Sequence, residues 1–421
     1  MNISLFIARR LQLKGSKRDT SSSSTIIAVT GVAIAIAVMV ITLCVVYGFK
    51  NQINEKVIGF DSQITINPAN DYFTGNTDYA ITLTDSLSQI ITSALGGDSS
   101  KATIAISLKQ PGILKTDDNF AGLIFKGINN QNDLSFLKKN IVEGELPNLG
   151  VDSCKNKIII SSSTSSSLNI TVGDKINTYF FINNNIRARK FEIAAIYNSY
   201  FGDYDKLIAY APITTLQRIA QIDSISGTTI EITGIDNELI YDKSIEIQTA
   251  INQAVYGQKL NKIYRVDNVL NSGAMYFNWL ELLDTNVIVI LILMSCVAGF
   301  TLISCLFIII LERVKTIGLL KAIGATNSQV RQIFIHMAQR LVLRGMLIGN
   351  ILSLSFMYIQ DKYHIIPLDP EAYYLSFVPV EFNWWHIIAL NIGVIIISSL
   401  ILILPSHLAS TISPSQTMRY E

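Results

Sequence analysis

Between Thr285 and Leu311 the chain runs without a single charged residue, TNVIVILILMSCVAGFTLISCLFIIIL. At about 1.5 Å of rise per residue such a segment crosses a hydrocarbon layer roughly 30 Å thick with length to spare. In lipid, backbone N–H and C=O groups find partners only within the segment itself, so a lone apolar run of this length is a transmembrane helix. Charge returns abruptly at Glu312 and Arg313, where the helix leaves the bilayer. Val314, Ile317, Leu320 and Ile323 then recur at every third position and lay an apolar stripe along one helical face, with Gly324 as the stop. A membrane span therefore feeds directly into a short amphipathic helix. A push on that helix is felt in the span.

The rest of the chain has to be compatible with that anchor. Of its 421 residues, 49% are hydrophobic and only 15% charged, where soluble domains carry about a quarter charged residues. Three further apolar runs stand out: Ile26–Tyr47, roughly Leu341–Ile359, and Ile387–Leu404. The first is too long for a cleavable signal peptide and no small-x-small site follows it. Leu43 also stands where a lipoprotein signal ahead of Cys44 needs a small residue. The third span holds Arg344 in its window, placed to snorkel to the interface. Aromatic residues at Tyr276–Trp279 and Trp384-Trp385 mark interfacial belts.

These features divide the chain into a cytoplasmic segment (1–25), a first span (26–49), a large extracytoplasmic domain (50–276) and a second span (277–311). A cytoplasmic loop (312–335), a third span (336–360), a short outer loop (361–385), a fourth span (386–405) and a cytoplasmic tail (406–421) follow. Orientation comes from Lys and Arg. Arg9, Arg10, Lys14, Lys17 and Arg18 precede the first span on what reads as a short interfacial helix. Arg313, Lys315, Lys321, Arg331, Arg340 and Arg344 follow the second, while the outer loop holds Lys362 alone. The positive-inside rule then puts both termini in the cytoplasm and residues 50–276 outside.

Within the insert, β-type runs at Ala102–Leu108, Gly122–Ile128, Lys157–Ser161, Ile176–Ile182, Lys190–Tyr197, Thr228–Thr233 and Lys262–Val266 are separated by Asn-, Gly-, Asp- and Ser-rich turns. Helical patterns cover Leu83–Leu95 and Tyr241–Tyr256. FKNQINEKVIGFDSQITI after the first span reads as a helical extension turning into a strand. The fold class is thus an α-helical membrane protein with four transmembrane helices and a large extracytoplasmic α+β domain inserted between the first and second helices.

Chemistry of its own is hard to find. No Gly-rich loop ends in Gly-Lys-Ser/Thr; Gly96-Gly97-Asp98-Ser99-Ser100-Lys101 has the wrong spacing and lies outside the cell. His336, His364, His386 and His407 make no metal-binding spacing with Cys44, Cys154, Cys296 or Cys305, and Cys154 alone lies in the insert. The Ser161–Ser167 run lacks a His or Asp to complete a nucleophilic set and reads as a polar turn or helix start. No basic stripe with interleaved aromatics points to nucleic acid. Spans nearly free of ionisable residues argue against ion coupling. The energy source is then a separate subunit.

ERVKTIGLLKAIGATNSQVRQIFI, residues 312–335, resembles the cytoplasmic loop of the FtsX-like/MacB-type ABC transporter permease family. FKGI (125–128), IVEGELP (141–147), VGDKI (172–176) and YNSYFGDYDKLIAYAPITTLQRI (197–219) resemble phrases of its MacB-like periplasmic domain, in order. A tail with Pro414 and an Arg-Tyr-Glu ending is similar too. The resemblance is strongest to the lipoprotein-releasing (LolC/LolE-type) permeases: too little chain precedes the first span for a fused ATPase, and the insert is larger than in FtsX proper. It implies a mechanotransmission subunit in the bacterial inner membrane that moves lipoproteins out of the outer leaflet for outer-membrane sorting. It implies no catalytic residues, cofactor or metal in this chain, with ATP and Mg held by a cytoplasmic ABC ATPase dimer. A second permease subunit, identical or paralogous, membrane lipid, lipoprotein cargo and a periplasmic lipoprotein chaperone are the other implied partners. Glu312, Val314, Lys315, Ile317, Gly318, Leu320, Lys321, Ile323 and Gly324 are the implied ATPase-coupling residues. Val40, Leu43, Val46 and Tyr47 of the first span, with Ile288, Leu291 and Met294 of the second, are the faces available to cargo. The alternatives are an FtsX-like relay activating a periplasmic cell-wall hydrolase and a MacB-like efflux permease.

Overall fold

The computed structural model describes residues 21–69, 80–97, 101–149, 154–182 and 185–403. The interfacial segment expected within 1–20 and the tail within 406–421 lie outside the described residues. The chain opens with α1 (Ser21–Asp61), β1 (Ile64–Pro68), β2 (Ile81–Thr82) and α2 (Asp85–Leu95). It continues through β3 (Thr103–Lys115), β4 (Phe120–Ile128), α3 (Ser135–Asn140), β5 (Ile141–Gly144), β6 (Lys157–Ser161) and α4 (Ser162–Leu168). Next come β7 (Lys175–Ile182), β8 (Asn185–Tyr197), α5 (Gly202–Asp205), β9 (Ile208–Pro212), α6 (Ile213–Ala220), β10 (Ser226–Gly227) and β11 (Thr229–Thr233). The series closes with α7 (Ile240–Tyr256), β12 (Tyr264–Asn268), α8 (Val269–Ser272), α9 (Ala274–Glu312), α10 (Val314–Ala322), α11 (Asn327–Tyr363), α12 (Pro370–Tyr373) and α13 (Trp384–Ile401). Two compact units result, one within Met1–Lys50, Leu280–Pro367 and Phe377–Glu421, the other within Asn51–Trp279 and Leu368–Ser376.

In the first unit, α1, α9, α11 and α13 are long and apolar enough to cross a membrane. Val32, Ile36 and Met39 of α1, Leu302 and Leu306 of α9, Phe334 and Leu341 of α11 and Ile387 of α13 share one buried cluster. The outward faces stay apolar: Phe300 is 72% exposed and Ile351 64%. At about 25 cal/mol per Å² such surface is costly in water and costs nothing in hydrocarbon. Because lipid offers no hydrophobic drive between helices, close packing and polar contacts hold the bundle. Asn350 and Asn391 exchange side-chain hydrogen bonds at 2.8 and 3.3 Å between α11 and α13. Gly345 and Gly349 bring α11 against α1; a Cβ at Gly349 would stand 2.6 Å from the Ala33 carbonyl oxygen. Gly349→Leu is therefore expected to cost about 1–3 kcal/mol, read as a lower melting temperature of the purified chain, with Leu347→Ala on the exposed face as the mild control.

The second unit is built on a ten-stranded sheet in the order β12-β1-β11-β3-β4-β9-β6-β8-β5, with β7 bridging β3 and β8. Most pairs are antiparallel, but β4–β9 and β6–β8 run parallel. One core cluster joins Leu108, Phe125, Ile158, Phe180, Phe191 and Leu216. Phe125 meets Phe180 edge-on at 5.1 Å and stacks on Phe191 at 6.2 Å. Gly112 makes room for that group, since a Cβ there would lie 2.8 Å from the Phe180 ring. The strand expected over Ala102–Leu108 thus runs on through Pro111 and Gly112 to Lys115. Turn-forming residues are held extended because β4 pairs with both and β7 pairs with Gly112 on the other side. The Ser161–Ser167 run resolves as a helix: Ser161 Oγ caps α4 by accepting from the Thr164 amide at 3.2 Å. Among the described residues no disulfide joins Cys44, Cys154, Cys296 or Cys305.

Candidate functional site

The 312–324 segment begins where α9 stops at Glu312 and Arg313 leaves helical geometry (φ −107°, ψ 14°). After α10, Gly324 takes φ +103°, a conformation that residues with a Cβ avoid, and the Ala325 amide returns to the Leu320 carbonyl at 2.9 Å. Thr326 then starts α11 with a reciprocal capping box to Gln329. The loop between the two helices is therefore short and fixed at both ends.

The stripe expected on this helix divides into two parts. Ile317 is 1% exposed and joins Val330, Phe334 and Ile309 in the membrane unit's own core. Gly318 beside it is buried, and Val314, Leu320 and Lys321 are half-buried. Ile323 is 76% exposed and Leu319 62%. Glu312, Lys315 and Gly324 are exposed as well. A three-residue repeat drifts by about 60° per step against the helical period of 3.6. A stripe that starts inward at Val314 and Ile317 has turned outward by Ile323. Leu319, off the stripe, is the apolar position that the periodicity missed.

The residues set aside for cargo also separate. Val40 is fully buried in the core cluster, and Leu291 and Met294 pack against that cluster. Leu43 is 8% exposed, Val46 and Tyr47 are half-buried, and Ile288 is 57% exposed. Tyr47 lies 4.4 Å from the His386 ring. Of the seven, only Ile288 presents a largely open face.

A second constellation lies in the α+β unit, on the 197–219 phrase. Lys56, 9% exposed, donates to the carbonyl oxygens of Ser199 and of Tyr374, the latter at 2.6 Å. Tyr204 Oη donates to Asp61 at 2.6 Å, and Tyr276 and Tyr374 both donate to Asp203, at 3.0 and 3.3 Å. Phe60, Phe201 and Tyr204 stack among them. Asp205 is buried; Ser199 Oγ donates to it at 2.6 Å and its amide at 3.2 Å. Burial pushes the Asp205 carboxyl above its usual range against the pull of the Ser199 donors and of Lys56. Four stretches that are far apart in sequence thus meet in one tyrosine-rich joint: the end of α1, the β8–β9 connection, the start of α9 and the outer loop at Tyr374. In sequence, residues 361–385 read only as a short outer loop. The tyrosine-rich YNSYFGDYDKL phrase was the available signal. Lys56→Met is expected to strand the buried Ser199 carbonyl and the part-buried Tyr374 carbonyl and cost about 2–3 kcal/mol, measurable by chemical unfolding of the purified chain.

Comparison with known proteins matches residues 288–414 to the FtsX-like permease C-terminal family and residues 25–244, over half the chain, to the MacB-like periplasmic core domain. The lipoprotein-releasing system transmembrane protein LolC of Xylella fastidiosa is 19% identical over 411 residues, covering 93% of each chain. LolE of Haemophilus influenzae is 21% identical over 444 residues, covering 99% of each. The periplasmic region of MacB from Actinobacillus actinomycetemcomitans aligns with 53% of this chain and 96% of its own at a TM-score of 0.34 and 16% identity. A bundle of four apolar helices matching the FtsX-like permease model over residues 288–414, and an α+β unit matching the MacB-like core, lead to one assignment: the chain belongs to the FtsX-like, MacB-type permease family.

Proposed function

We propose that this chain is a permease subunit of an ATP-driven transporter that extracts lipoproteins from the outer leaflet of the bacterial inner membrane. The observation carrying this reading is α9, an unbroken helix from Ala274 to Glu312 that ends at a capped loop with Leu319 and Ile323 exposed. A displacement of that loop travels along α9 to Tyr276 in the tyrosine joint. Full-length similarity to proteins named lipoprotein-releasing supports the cargo class. A separate cytoplasmic ATPase dimer binds ATP and Mg and meets the loop. A second permease subunit completes the complex, and a periplasmic chaperone receives the cargo. Both termini and the loop face the cytoplasm, and the α+β unit faces outward, as the Lys and Arg distribution requires.

The test is release from membranes. Spheroplasts or proteoliposomes containing the purified complex and ATP are expected to shed an acylated lipoprotein into a soluble acceptor, and not to do so with a non-hydrolysable nucleotide. Cell-wall hydrolase bound to the complex, with no lipoprotein released, would replace transport by the relay. In a cysteine-free background, Cys at 120 and 200 is expected to label from outside and at 323 only from inside.

A further inference from the structure

The membrane unit carries an apolar groove of about 510 Å³, lined by Leu354, Ser355, Tyr358 and Ile359 of α11 and by Phe382 and Trp384 where the chain enters α13. Its walls are fixed from behind. Gln360, 1% exposed, donates to the Val378 carbonyl at 3.0 Å and accepts from the Ile366 amide at 3.0 Å, which ties both limbs of the outer loop to the end of α11. The Glu381 amide donates to the Cys44 carbonyl of α1 at 3.0 Å. Phe382, next along, packs against the buried cluster of the unit and stacks on Trp384 at 6.2 Å. The groove is therefore preformed.

Its chemistry changes along its length. Leu354, Ile359 and Phe382 give an apolar floor, and the volume lies within the range of sites that hold one small molecule. A convex helix face in a bilayer meets acyl chains anywhere; a fixed groove holds one in place. Trp384 and Trp385, 59% and 81% exposed, are amphipathic rings of the kind that sit at headgroup level. At 100° per residue, Asp361 and Lys362 stand one turn beyond Tyr358 and within about 60° of it on either side. Both are exposed. The apolar groove thus ends beside an acid and a base, which complements a headgroup carrying both an ammonium and a phosphate. A purely anionic headgroup would meet the Asp361 carboxylate. An apolar helix of a second copy would cover both charges without pairing them, which is costly.

We propose that this groove holds one phospholipid with an ethanolamine headgroup, its acyl chain along Leu354, Ile359 and Phe382, its phosphate at Lys362 and its ammonium at Asp361. The leaflet follows from the orientation proposed above; binding itself depends neither on that orientation nor on the cargo. Native mass spectrometry of the detergent-purified full chain, titrated with dioleoyl phosphatidylethanolamine or dioleoyl phosphatidylglycerol, tests it. A single saturable phosphatidylethanolamine adduct is expected, about fivefold tighter than that of phosphatidylglycerol. Asp361→Asn is expected to abolish the preference. Ser355→Trp, which fills the groove from an exposed position, is expected to weaken the adduct about tenfold. Ile396→Trp, three turns along α13 and 55% exposed, is expected to leave it unchanged. Three results overturn the proposal: no saturable adduct on the wild-type chain, equal affinity for the two lipids, or wild-type affinity in Ser355→Trp. A dimer that Ser355→Trp dissociates, with no lipid lost, gives the groove to a second copy and overturns it as well. If Ser355→Trp lowers the yield of folded chain, the preference in Asp361→Asn decides alone, because Asp361 is exposed.

Discussion

Ile323→Asp is expected to strip the partner ATPase from the purified chain while leaving the chain itself folded in the membrane. Ile323 and Leu319 are the open apolar positions of the 312–324 segment. Burying each in a partner groove contributes about 1.5–3 kcal/mol before association costs. A carboxylate in that groove removes the gain and adds an unpaired buried charge, so affinity should fall at least about a hundredfold. Ile317→Asp should behave differently. Its side chain lies in the membrane unit's own core against Val330 and Phe334, so the folded chain is lost before any partner is met. Leu320→Asp, half-buried, should show some of each effect. Lys321→Ala should be far milder, because rim charges tune rates more than affinity. Co-purification yield, set against monodisperse recovery of the permease alone, separates the outcomes. Wild-type recovery of ATPase with Ile323→Asp would remove this helix as the coupling element.

The second large effect is expected at Lys126. Lys126→Met takes the ammonium from the buried Glu231 carboxylate and leaves it the Asn132 amide at 3.5 Å. Breaking a buried pair from one side costs about 3–5 kcal/mol, mostly the penalty on the abandoned charge. The double variant Lys126→Met/Glu231→Met should recover most of the loss, since apolar replacement of both partners is often neutral. Chemical unfolding of the three proteins checks this. A single variant as stable as the wild type would show that Glu231 reaches solvent or another donor.

The parts of the fold that were legible in sequence are those governed by local pattern. The charge-free run ending at Leu311, the Gly96 stop of α2 and the short strand Lys157–Ser161 all depend on residues within a turn or two. β9 escaped because Ile208–Pro212 pairs in parallel with β4, where burial on both faces removes the alternation that marks a strand. The Val314–Ala322 helix was legible as a helix but not as a surface. Which side of Val314–Ala322 is covered depends on Val330 and Phe334, beyond the reach of its own periodicity. The tyrosine joint was illegible for the same reason: Lys56, Asp203, Tyr276 and Tyr374 meet only after the sheet has closed.

The position of β1 bears on how the chain is made. Ile64–Pro68 pairs with Thr229–Thr233 on one edge and Tyr264–Asn268 on the other, so neither partner exists when β1 leaves the ribosome. At roughly 5–20 residues per second, translation from position 68 to 264 keeps the edge that meets β12 unpaired for about 10–40 s. Ile64 and Ile66, both fully buried once folded, stay exposed for that interval. The sheet therefore cannot be completed until its last strand is made, and synthesis of this chain leaves a nascent apolar segment that a holdase has to shelter until then.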